Sequence, residues 1–226
     1  MKNKYLPVVF AILAFLGFLL RWLVYLTAVD AKNLIISGHP MVIILWILTA
    51  AALILTALLS RNAKPIPPAS ALSFLGHGLL GVAIAITALL SASPMGGILG
   101  LIWKILGLAS APCLLLAGWQ RMSVRRPFFA LYAPASLFFA THVLTHYQIW
   151  CSNPQFTDYA FALLACVALS SHCYHRAASC VEKGHIQMLK FTALAAIFLC
   201  GTEMAQSLHP WLYLGGAVFC LTDLPR

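Results

Sequence analysis

The stretch Tyr5–Ala28, YLPVVFAILAFLGFLLRWLVYLTA, decides the fold. It holds a single charge, Arg21, across 24 residues and follows Lys2 and Lys4. A helix crossing the roughly 30 Å hydrocarbon core of a bilayer needs about 20 predominantly apolar residues, and this run exceeds that length. It does not read as a cleaved secretory signal. Arg21 lies past the apolar core, and Leu26 would occupy the −3 position of a cut after Ala28. A membrane-spanning helix is the reading it supports.

Outward from this stretch the pattern repeats. Apolar runs follow at Pro40–Ser60, Ala71–Ser91, Ile98–Gly118, Phe128–Trp150, Asp158–Ala178, Ile186–Leu208 and Pro210–Leu224, each bounded by short polar, Pro or Gly punctuation. Of 226 residues, 62% are hydrophobic and 8% charged, against about 45–50% and about 25% in a soluble domain. A soluble globular chain, a disordered chain and a disulfide-rich secreted scaffold are excluded. The expected fold is an all-α polytopic transmembrane helix bundle, one integral membrane domain over residues 1–226, with eight spans. The last run has 15 residues and covers about 22 Å at 1.5 Å per residue, short for the bilayer core.

The basic residues favour eight crossings. Cytoplasmic loops carry an excess of Lys and Arg. Lys2, Lys4, Arg61, Lys64, Arg121, Arg125, Arg126, Arg176, Lys183 and Arg226 fall in alternate connections and at the two termini; the intervening connections hold Lys32. This bias puts both termini in the cytoplasm. A seven-span alternative, with the tail outside, conflicts only with Arg226. The net charge of +9 then serves topology, and no nucleic-acid partner is expected.

Ionisable residues inside spans are costly and are the best pointers to function. Counting 1.5 Å per residue from the edge of each run, Arg21 lies about 24 Å up from the inner edge, Glu203 about 25 Å and His142 about 21 Å, while Lys104 lies about 9 Å below the outer edge. Four groups from four helices thus share the outer half. Two readings follow. In one, Glu203 is neutralised by Arg21 or Lys104 for helix assembly. In the other, Arg21, Lys104, His142 and Glu203 line a cavity open to the outside. There a cation holds a small anionic ligand, Glu203 pairs with the other cation or carries a proton, and His142 relays it.

The remaining chemistry is sparse. His77 and His172 match in depth and offer a bis-imidazole haem alternative; interior histidines satisfied by hydrogen bonds are the plainer reading. Cys166, Cys173 and Cys180, with Ala162, Ser170 and Ala177, form a small-residue stripe suited to close helix packing, as do Gly76, Gly78 and Gly81. Nucleotide-binding, GxSxG and HExxH patterns do not occur. Neither a metal nor another cofactor is expected outside the haem alternative, and a non-enzymatic role is favoured over an intramembrane enzyme.

The run Trp150-Cys151-Ser152-Asn153-Pro154, followed by Tyr159, resembles uncharacterised families of small polytopic bacterial membrane proteins, as do the length and span number. The resemblance covers mainly the fifth and sixth runs and implies a bacterial cell membrane. Those families carry no assigned activity to transfer. The leading functional expectation is a binding or transport-type membrane protein. The alternative is a non-catalytic subunit or assembly protein that anchors a membrane-protein partner. In either case the bilayer is its solvent.

Overall fold

The structure, a computed structural model, describes residues 5–30, 35–36, 38–62, 71–91, 97–123, 127–152 and 156–224. Lys2, Lys4, Lys32, Lys64, Arg125, Arg126, Asn153, Pro154 and Arg226 lie outside the described residues, as do the side chains of Trp150, Cys151 and Ser152.

Among the described residues the chain forms eight α-helices: α1 (Leu6–Thr27), α2 (Pro40–Ser60), α3 (Ala71–Leu90), α4 (Gly97–Met122), α5 (Ala133–Ser152), α6 (Phe156–Cys180), α7 (Ile186–Glu203) and α8 (Pro210–Thr222). A short 3-10 turn, Phe129–Tyr132, leads into α5. Five helices, α1 to α4 and α7, are long and apolar enough to cross a membrane. The helices follow the apolar runs of the sequence, with one functional difference. The run Ile186–Leu208 is helical only to Glu203, because the carbonyl of Glu203 accepts the N–H groups of both Gln206 and Ser207 at 3.1 Å and the chain turns away.

Helices α3, α4, α5, α6, α7 and α8 form a closed cycle of neighbours, and α1 and α2 pack on the far side of α7. Such placement needs a central helix that is apolar all round. Accordingly α7 is buried continuously from Thr192 to Glu203, whereas one face of α1 carries exposed Ile12, Phe15 and Trp22. Small residues permit the closest crossings. A Cβ on Gly81 of α3 would stand 3.0 Å from the Ala111 backbone of α4, and one on Gly201 of α7 would stand 3.1 Å from that of Ala14. Between α5 and α6, Ser136 and Ser170 each donate a hydroxyl to the other's carbonyl, at 3.0 and 2.9 Å. Polar bonds of this kind hold helices together where the surroundings offer no water.

Helices consecutive in the chain alternate in direction. Ser91 at the end of α3 meets His209 at the start of α8, and Gln187 at the start of α7 donates to the Arg61 carbonyl beyond α2. One end of the bundle therefore carries the two His-Pro helix starts, His39-Pro40 and His209-Pro210. The other carries Arg121 and Arg176. At 1.5 Å per residue α7 is about 27 Å long and α8 about 20 Å. These two short helices leave a depression at the His-Pro end.

Candidate functional site

Arg21 is fully buried near the end of α1. Its Nη2 lies 3.2 Å from Glu203 Oε2 and donates to the Asp158 carbonyl at 3.0 Å. The guanidinium stands 4.6 Å above the Phe161 ring, which is backed by Trp46 of α2 at 5.1 Å. A buried charge is tolerable when paired and hydrogen-bonded, and the aromatic face adds a cation–π contribution. Three helices, α1, α6 and α7, thus meet at one guanidinium, and α2 backs its aromatic face. Asp158 sits in the first turn of α6, where the helix dipole favours an acid.

Beside this pair is a cavity of about 200 Å³, bordered by His142, His146, Asp158, Glu203, Gln206 and Tyr213 among others. A second recess of about 420 Å³ is bordered by Tyr25, Ile35 and Ala205. Asp158, Gln206 and Ser207 border both, so the turn after α7 and the start of α6 form the partition between them.

The imidazoles have defined roles. Trp103 Nε1 donates to His142 Nδ1 at 3.3 Å, so the neutral ring carries its proton on Nε2. His146 Nδ1 donates to the His142 carbonyl at 2.9 Å, which makes its Nε2 an acceptor. The two rings lie 4.0 Å apart. His209 Nε2 bonds Ser91 Oγ at 2.7 Å. Its Nδ1, like Gln206 Oε1, is buried without a hydrogen-bond partner among the described residues. Partial burial lowers the pKa of His209 below its ordinary value and favours the neutral ring.

Of the four residues expected to share a layer, Arg21, Glu203 and His142 come together. Lys104 does not: it is exposed on α4, while its neighbour Trp103 turns inward to His142. Successive helical residues point about 100° apart, so depth alone could not assign the face. Two cations and one acid were expected to meet; in the structure Arg21 pairs with the Glu203 carboxylate and donates to the backbone carbonyl of Asp158. Asp158, Gln206, Ser207, His209 and Tyr213 were missed. Gln206 and Ser207 were concealed inside an apolar run, and a change of local polarity after Glu203 was the available signal.

The geometry lends the haem alternative no support. His77 Nδ1 donates to the Ser73 carbonyl at 2.7 Å and its Nε2 bonds the Tyr132 hydroxyl at 3.0 Å, so both ring nitrogens are engaged. Phe219 packs edge-on against both His77, at 4.8 Å, and His172, at 5.3 Å, occupying the space a macrocycle would need. Among the described residues no three His, Cys, Asp or Glu side chains are grouped to hold a metal.

The opposite end holds a second buried network. Asp223, the residue closing α8, pairs with both Arg121 and Arg176. Arg176 Nη2 donates to Oδ1 at 2.5 Å, and Arg121 also donates to Ser73 Oγ at 2.9 Å. An acid at a helix C-terminus opposes the helix dipole; the two arginines offset it. Arg176, counted in the sequence among the basic residues of the connections, is buried. This constellation joins α3, α4, α6 and α8. No family model, curated protein or solved structure matches the chain.

Proposed function

We propose that the protein is a multi-pass cell-membrane protein of binding or transport type, whose site is the recess at the His-Pro end. The observation that carries this reading is the cavity of about 200 Å³ where Glu203, His142 and His146 meet at the His-Pro end of the bundle. A concave site with a few convergent polar groups is the usual form of a small-molecule site. The bias of basic residues toward the opposite end supports an orientation with the recess facing outward and both termini cytoplasmic. An anion held by Arg21 or Lys104 loses its support, since Arg21 already faces Glu203 and Lys104 points away. No catalytic arrangement is proposed.

A second reading has one observation in its favour. The Arg21–Glu203 pair ties α1 to α7 without any ligand, as a structural subunit that scaffolds a membrane partner would require. Ser207, which borders both recesses, separates the two. In intact cells a membrane-impermeant maleimide should label Ser207→Cys above the wild-type background. Labelling only in inverted or detergent-dissolved membranes would overturn the outward-open site and leave the scaffold reading.

A further inference from the structure

The hydrogen-bonding groups around the recess specify its occupant more narrowly than size does. The fixed charges beside it are already answered. Glu203 Oε2 lies 3.2 Å from Arg21, and the same guanidinium interacts electrostatically with Asp158, whose backbone carbonyl it also holds. The imidazole of His142 adds no charge. An indole N–H only donates, so the Nδ1 that receives Trp103 carries no proton, and the ring is neutral with its proton on Nε2. His142 is only 4% exposed and borders the cavity. With Nδ1 turned to Trp103, the Nε2–H edge is left to the cavity, and among the described residues that donor has no partner. Gln206 borders the same cavity, and its Oε1 is buried with no hydrogen bond among the described residues. A donor from α5 and an acceptor from the turn after α7 therefore stand unmet beside one small space.

Buried polar groups left without partners are costly, and a charge brought into such a space without an opposite charge costs more. Resting on the solute-binding reading above, we propose that the recess takes a small uncharged solute carrying both a carbonyl and an N–H group, a primary carboxamide being the simplest case. The carbonyl oxygen receives the proton of His142 Nε2, and the amide N–H donates to Gln206 Oε1. A carboxylate of the same shape would meet Glu203 and has no proton to give Gln206. An amidinium of the same shape has no acceptor for His142 and would find the nearby carboxylates engaged by Arg21. A cavity of about 200 Å³ is smaller than the roughly 300–1,000 Å³ that drug-sized ligands use, which limits the occupant to a small molecule.

Acetamide, acetate and acetamidinium share one shape and differ in charge, which makes them the probes. Each is added to the purified full chain in detergent at constant ionic strength, the ions as sodium or chloride salts, with N,N-dimethylacetamide and sodium chloride alongside, and thermal unfolding is followed. Acetamide should raise Tm in a saturable manner. N,N-dimethylacetamide, which lacks the N–H, should do so with weaker apparent affinity. Acetate, acetamidinium and sodium chloride should produce no saturable rise. Gln206→Met, which removes the amide and keeps the length, should weaken the apparent affinity for acetamide about tenfold, equivalent to about 1.4 kcal/mol. A saturable rise with acetate or acetamidinium but not acetamide overturns the assignment and leaves a solute site standing. No rise with any probe overturns both. An acetamide effect equalled by either ion or by N,N-dimethylacetamide, or unchanged in Gln206→Met, overturns the assignment. If Gln206→Met does not fold, protection of Ser207→Cys from maleimide by acetamide and by neither ion supports it, and any other pattern overturns it.

Discussion

Removing the carboxylate of Glu203 leaves a fully buried guanidinium with a backbone carbonyl and an aromatic ring around it. Breaking a buried pair from one side costs about 3–5 kcal/mol, whereas removing both charges is often close to neutral. Glu203→Gln and Arg21→Gln should therefore each lower Tm in detergent, and the double variant should recover most of the loss. Equal, additive losses would show that the two side chains act independently. Depth brought Arg21 and Glu203 to one level, since both interrupt long apolar runs, but it left Lys104 as an equal candidate partner. Asp158 and Asp223 were not legible in this way. Each stands at the edge of its run, where an acid reads as loop, and each acquires its meaning from partners more than 40 positions away, Arg21 for the first and Arg121 and Arg176 for the second.

Helix against helix, the decisive feature is how close the backbones come. Gly81 lets α3 approach α4 until an added methyl would press on the Ala111 backbone at 3.0 Å; one on Gly78 would meet only the end of the Leu115 side chain at 3.3 Å. A backbone cannot step aside, and overpacking costs about 1–3 kcal/mol. Gly81→Ala should lower Tm in detergent, while Gly78→Ala should leave it near that of the wild type; equal Tm values for both would refute the close crossing. The sequence showed both glycines on one stripe without telling them apart, since residues two and three apart share a broad face but not a neighbour. The end of α7 was hidden for a similar reason. Met204, Ala205 and Leu208 prolong the apolar run past the point where Glu203 accepts two N–H groups and stops the helix.

Across the whole molecule, eight alternating helices bring the start of α1 and the end of α8 to the same end of the bundle, the one where Arg121 and Arg176 lie. Given the basic bias of that end, a fluorescent reporter that matures only in the cytoplasm should light when fused after Arg226, and a phosphatase that requires export should stay inactive there. The reverse pattern would turn the last helix into one that does not cross. The helical class and the number of helices were legible because apolar runs of membrane length leave few alternatives. The closed cycle of six was not, because hydropathy records that a helix is buried and not by whom. That cycle also sets an order of assembly. The helix that completes it, α8, follows the other seven in the chain, and it brings the acid on which Arg121 and Arg176 depend. Until it arrives, the face of α3 around Leu80 and the adjoining face of α7 have no neighbour between them, and the two arginines hold an uncompensated charge. The seven helices before it therefore leave the cycle open, and the thirteen residues of α8 close it.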